Sequence, residues 1–100
     1  MKVSNMVSNS TGRGVPNQFV ITDEGRGALG NFISREAFQS YKSIIAVKIE
    51  WENETEVQLD INKWDYSTTT GKYRNQFLGE KKADTQRKID SGEYKLVNLN

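Results

Sequence analysis

The chain has 100 residues, of which 35% are hydrophobic and 10% aromatic, with a net charge of +1 and a mean hydropathy of -0.73. A chain of this length buries roughly 65% of its unfolded surface, enough for one modest core. With no cysteine and no histidine it has no thiol nucleophile, imidazole base, disulfide or ordinary zinc site, which excludes most enzyme classes.

Residues 1–16 are rich in Ser, Asn and Gly, carry the only proline, Pro16, and show isolated valines without a period. They read as a flexible N-terminal arm ahead of a single domain over 17–100. The arm lacks the apolar run of a signal peptide, and Ile44-Ile45-Ala46-Val47 is too short to span a bilayer, so a cytoplasmic location is expected. Phe19-Val20-Ile21-Thr22 is apolar, β-branched and bounded by polar residues, which predicts a strand. Between Gly25 and Tyr41 the periods conflict. Leu29, Phe32, Ile33 and Ala37 fit a helical face, while Phe38-Gln39-Ser40-Tyr41 alternates; the stretch reads as loop, then strand.

The β-branched run Ser43 to Ile49 and the alternating Glu56-Val57-Gln58-Leu59-Asp60-Ile61, separated by a turn at Asn53-Glu54, predict a β-hairpin. Ser67 to Thr70 then offer N-caps, Tyr73 and Phe77 stand i,i+4, and Gly79 is placed to end a first short helix. A second helix is predicted with Asp84 as its cap, Lys88 as the i,i+4 partner of Asp84, and Gly92 as its stop; Tyr94-Lys95-Leu96-Val97 follows as a last strand. The expected fold is α+β: a small antiparallel sheet with a central β-hairpin over 43–61, packed against two short C-terminal helices. Trp64, Tyr73, Phe77 and Ile89 are expected at the junction.

Three motifs invite a chemical reading. Gly25-Arg26-Gly27-Ala28-Leu29-Gly30 has the spacing of a dinucleotide fingerprint, but Asp23 and Glu24 stand where the apolar strand should run into the first glycine, and they repel a diphosphate. It reads as a mobile surface loop. Thr70-Gly71-Lys72 lacks the earlier glycine of a phosphate-binding loop. Asp60 and Asp65 flank Trp64 without a third ligand, and suit turn and cap roles. No catalytic residue, cofactor or metal is therefore expected.

Charge is unevenly spread. Lys48 to Tyr66 holds six acids and two bases, while Ser67 to Asn100 holds seven bases and four acids. Glu50, Glu52, Glu54 and Glu56 recur at every second residue and stack at the end of the predicted hairpin, as a solvated tip or as a docking surface that either mimics nucleic-acid phosphate or engages a basic partner. Lys72, Arg74, Lys81 and Lys82, with Arg87 and Lys88, gather about the predicted helices beside Tyr73. Cations next to an aromatic suit single-stranded nucleic acid, although Tyr73 shares its helix face with Phe77 and so points toward the core.

Phe38-Gln39-Ser40-Tyr41, Ile45-Ala46, Leu59-Asp60, Trp64-Asp65-Tyr66-Ser67, Thr69-Thr70 with Lys72-Tyr73-Arg74, Phe77-Leu78-Gly79, Gly92-Glu93-Tyr94 and Leu99-Asn100 form one set of blocks. Over residues 17–100 they resemble small uncharacterised proteins of tailed bacteriophages and prophages of Gram-positive bacteria. The resemblance implies a setting rather than an activity: a phage accessory factor in the host cytoplasm that binds a host or phage protein, such as an inhibitor of a host defence enzyme. The expectation is a non-enzymatic protein-binding domain, working through the acidic residues Glu50, Glu52, Glu54 and Glu56, the basic residues Lys72, Arg74, Lys81 and Lys82, or both. The alternative is a small nucleic-acid-binding module that uses the basic helical pair.

Overall fold

Val20, Phe38, Ala46 and Leu59 stand opposite one another across four neighbouring strands, and this row is the floor of the core. The computed structural model describes residues 1–25 and 33–100. Among them the strands are β1 (Lys2–Val7), β2 (Gly14–Glu24), β3 (Ser34–Ser40), β4 (Ser43–Glu50), β5 (Thr55–Asp60) and β6 (Tyr94–Val97), with α1 (Thr68–Leu78) and α2 (Lys82–Asp90) before the last strand. They form one sheet in chain order. β1 to β5 are an antiparallel meander, and β6 returns parallel to β5 after the helices. The fold is α+β, as the sequence predicts.

The helices cover one face of the sheet. Phe77 stacks on Phe38 with ring centroids 5.8 Å apart, Tyr73 is buried one turn earlier, and Trp64 and Ile89 pack against the same cluster, so the predicted junction forms. A register shift in the β3–β4 pairing lets both Ile45 and Ala46 join this core, while Ala37 and Val47 are buried on the opposite face. Fully burying side chains of this size is worth about 1.5–3 kcal/mol each.

α1 begins and ends as its sequence dictates. Ser67 is extended, with φ -152°, and its hydroxyl accepts from the Thr70 N–H at 3.1 Å; Gly79 adopts φ 71°, a left-handed conformation that costs glycine nothing. At the C-terminal end of α1, Lys48 Nζ donates to the Phe77 carbonyl at 2.9 Å and lies 4.3 Å from the Phe77 ring centroid. A cation there complements the helix dipole.

Two sequence expectations need correction. Residues 1–16 are not a free arm: β1 pairs with β2, and Ser8 to Arg13 form the connection, with the Ser8 N–H on the Arg13 carbonyl at 2.9 Å and Gly12 at φ 71°. The pattern escapes periodicity because only Met6 of β1 is buried. An edge strand half clothed in Ser and Asn carries no alternation to read. Asp84 is not the cap of α2 either; Lys81 occupies that position without a side-chain bond, and Asp84 lies in the first turn, where its charge suits the helix dipole. Asp84 pairs with Arg87 at 3.3 Å, and Lys88 reaches Glu80 instead. The predicted glycine-rich loop falls, beyond Gly25, outside the described residues. Gly25 itself donates its N–H to the Ile33 carbonyl at 2.8 Å.

Candidate functional site

Sheet register assembles an acidic end. Ser34 pairs with Glu24 on one side and Glu50 on the other, so both glutamates project at the same end and on the same face. The Ser34 hydroxyl donates to Glu50 Oε2 at 3.1 Å. The β4–β5 turn carries Glu52 and Glu54 and is held by the Trp51 N–H on the Glu54 carbonyl at 2.8 Å. Glu24, Glu50, Glu52 and Glu54 are exposed and make no ion pair among the described residues. Half-buried Trp51 and Ile33, 38% exposed, give this end an apolar component; the Ile33 N–H donates to the Glu50 carbonyl at 2.7 Å.

Glu56 does not belong with them. Glu50 stands opposite Thr55, so Glu56 is one residue further along and faces the other side of the sheet, half-buried, with Gln58 Nε2 donating to its Oε2 at 2.5 Å. The every-second-residue pattern fails because the turn interrupts the strand. Glu24, by contrast, carries no sign in the sequence of belonging with Glu50, since only the β2–β3–β4 pairing brings the two together.

The basic residues divide as well. Arg74 is 1% exposed and is no docking residue: its Nη1 donates to the Trp64 carbonyl at 2.7 Å and pairs with Asp65 at 3.1 Å, its Nη2 donates to Asn75 Oδ1 at 3.0 Å, and its guanidinium lies 5.2 Å from the Trp64 ring centroid. Lys82 joins the same carboxylate at 2.5 Å. Burial pushes the Asp65 carboxyl up, but the hydrogen bonds from Lys82 and Arg74 outweigh it and hold the group below the usual carboxylate range. Lys72 and Lys81 remain exposed, with Lys72 Nζ 5.4 Å from the Tyr73 ring centroid.

These residues border an open groove of about 600 Å³ at the N-terminus of α1, lined among others by Asp65, Tyr66, Ser67, Lys72, Arg74 and Lys82. It lies at the far end of the sheet from the glutamates. Thr70, in the first turn of α1, is 2.9 Å from the Ser40 hydroxyl beside the β3–β4 turn, whereas the other end of α1 meets Lys48, toward Glu50. Asp60, the other carboxylate flanking Trp64, is buried in a turn role, accepting the Asn62 N–H at 3.1 Å and the Leu99 N–H at 2.8 Å.

A second internal cluster ties α2 to the sheet. Glu80 accepts from Thr85 at 2.6 Å, Tyr94 at 2.8 Å and Lys88 at 2.8 Å. Burial raises its carboxyl and these hydrogen bonds more than reverse the effect, leaving it below the ordinary value. The hydrogen bond to Glu80 holds Lys88 above its ordinary value. Burial, with Glu80 beside it, raises Tyr94.

Among the described residues no group of His, Cys, Asp and Glu side chains is arranged to hold a metal, and no helix is long and apolar enough to cross a membrane. No curated protein and no solved structure matches the chain. Its matched span includes residues 1–16, in keeping with β1 being part of the folded sheet: residues 1–93 match the family of unknown function DUF8033, and the chain belongs to that family.

Proposed function

We propose that this chain is a non-enzymatic accessory protein that docks on a basic surface of another protein through the acidic end of its sheet. The observation that carries this reading is the contrast in pairing: Glu24, Glu50, Glu52 and Glu54 are exposed without an ion pair among the described residues, while Arg74 and Lys82 are committed to Asp65 and Lys88 to Glu80. Unpaired charge at this end of the sheet steers encounter with an opposite surface, and Trp51 with Ile33 supplies the apolar contact that resists dissociation. The resemblance to bacteriophage and prophage proteins supports a host or phage protein, met in the host cytoplasm, as the partner.

The nucleic-acid reading is the weaker one, because of its four named cations Arg74 is buried and Lys82, though exposed, is paired with Asp65. Capture from a bacterial lysate separates the two. The wild-type chain should retain a protein that the combined Glu24→Gln, Glu50→Gln, Glu52→Gln and Glu54→Gln variant loses, and retention should weaken as salt rises. Gel shifts at low salt should show no micromolar DNA binding; binding that vanishes when Lys72, Lys81 and Lys82 are neutralised would replace this reading with the nucleic-acid one.

A further inference from the structure

The acidic end and the groove are electrostatically complementary and cannot meet within one molecule. β3 and β4 separate them by about 20 Å at the usual rise per residue. The groove presents two exposed cations, Lys72 and Lys82, around Asp65, whose charge the buried Arg74 already balances, and is flanked by Tyr66, which is 43% exposed. The opposite end offers exposed glutamates on a narrow hairpin turn with Trp51 at its base. A hairpin tip is one strand spacing, about 4.8 Å, between its backbones, and an open groove of this size admits it.

We infer that copies of this chain associate head to tail, the β4–β5 turn of one seated in the groove at the N-terminus of α1 of the next. Glu52 and Glu54 would face Lys72 and Lys82, and Trp51 would approach Tyr66. Two different patches meet, so the contact is heterologous and repeats rather than closing on itself by a two-fold axis. The inference rests on the acidic end being a docking surface and adds a regulation of it: a sister copy and a basic protein partner compete for the same turn. The contact is mostly charged and weak, so concentration and salt govern it.

The test is sedimentation velocity on the full chain across a concentration series, at about 0.01 M and about 0.5 M salt. At low salt the weight-average mass should rise with concentration above the 11.4 kDa of one chain, and at high salt it should return to it. A Glu52→Lys and Glu54→Lys double variant should stay monomeric, and so should Lys72→Glu; circular dichroism on each checks that these exposed positions leave the fold intact. Mixed in equal amounts, the two variants should associate again, because the intact turn of the Lys72→Glu chain fits the intact groove of the other. A monomeric wild type at low salt, a mixture that stays monomeric, or association indifferent to salt and to both variants would overturn the inference. The Lys72→Glu chain retains the acidic end, so partner capture with it as bait reports on the protein-docking function independently.

Discussion

Arg74, Lys82 and Lys88 sit on carboxylates within their own helical layer, whereas Glu24, Glu50, Glu52 and Glu54 at the sheet end have no counter-charge among the described residues. The sequence places both sets in equally conspicuous runs. Burial sets Arg74 apart: it is fully enclosed and a guanidinium there is tolerable only with Asp65 and the Trp64 carbonyl in place, while the glutamates stay in water and need nothing. The buried Arg74 is therefore structural, while Lys72 and Lys81 beside the helices and the glutamates at the sheet end are exposed and free to serve binding.

The sharpest way to break that contrast is Arg74→Ala. Loss of a buried guanidinium with its carboxylate, carbonyl and amide partners and its contact with Trp64 should cost about 3 kcal/mol, read as a fall in the urea midpoint. A midpoint unchanged by Arg74→Ala would mean that its contacts are not structural. Glu80→Gln should be milder, about 1–2 kcal/mol, since it keeps the volume and part of the hydrogen bonding to Thr85, Tyr94 and Lys88.

Acid titration sharpens the same point. Asp65 and Glu80 are held below their ordinary values of 3.8 and 4.5, so the stability they contribute is present above those values and is lost as pH falls through the lower values of the folded state. Denaturant midpoints should be flat above about pH 5 and fall below it, with a shallower fall in an Asp65→Asn, Glu80→Gln double variant. Smallest of all should be the four-glutamine replacement at the sheet end: a stability change within about 0.5 kcal/mol, upward because like charges are removed. A large loss of stability there would place those glutamates in the fold and not in a docking surface.

Much of the architecture is legible locally. The hairpin of β4 and β5, the Ser67 cap and the Gly79 stop of α1 each follow from a short pattern with a direct physical cause. β1 is not legible, because an edge strand buries one residue, Met6, and leaves no period behind. The charged regions are half legible. Composition shows where acids and bases gather, but the place of Glu24 beside Glu50 depends on pairing across β3, and the burial of Arg74 depends on Asp65 and Trp64 arriving from outside the helix. Glu56 shows the converse: a regular spacing in sequence that the turn divides between two faces.

The parallel pairing of β6 with β5 has a consequence for how the chain is made. The first five strands are joined in order by short connections, apart from the longer link between β2 and β3, so their contacts can form as soon as the residues are available. β6 comes only after both helices, with Tyr94 closing on Val57 and Leu96 on Leu59. Until then β5 is an edge strand whose outward backbone groups are unpaired and whose Val57 awaits Tyr94. A nascent or truncated chain stopped before Tyr94 therefore carries a sticky apolar edge at the centre of its future core, and aggregation at that stage competes with completion of the sheet.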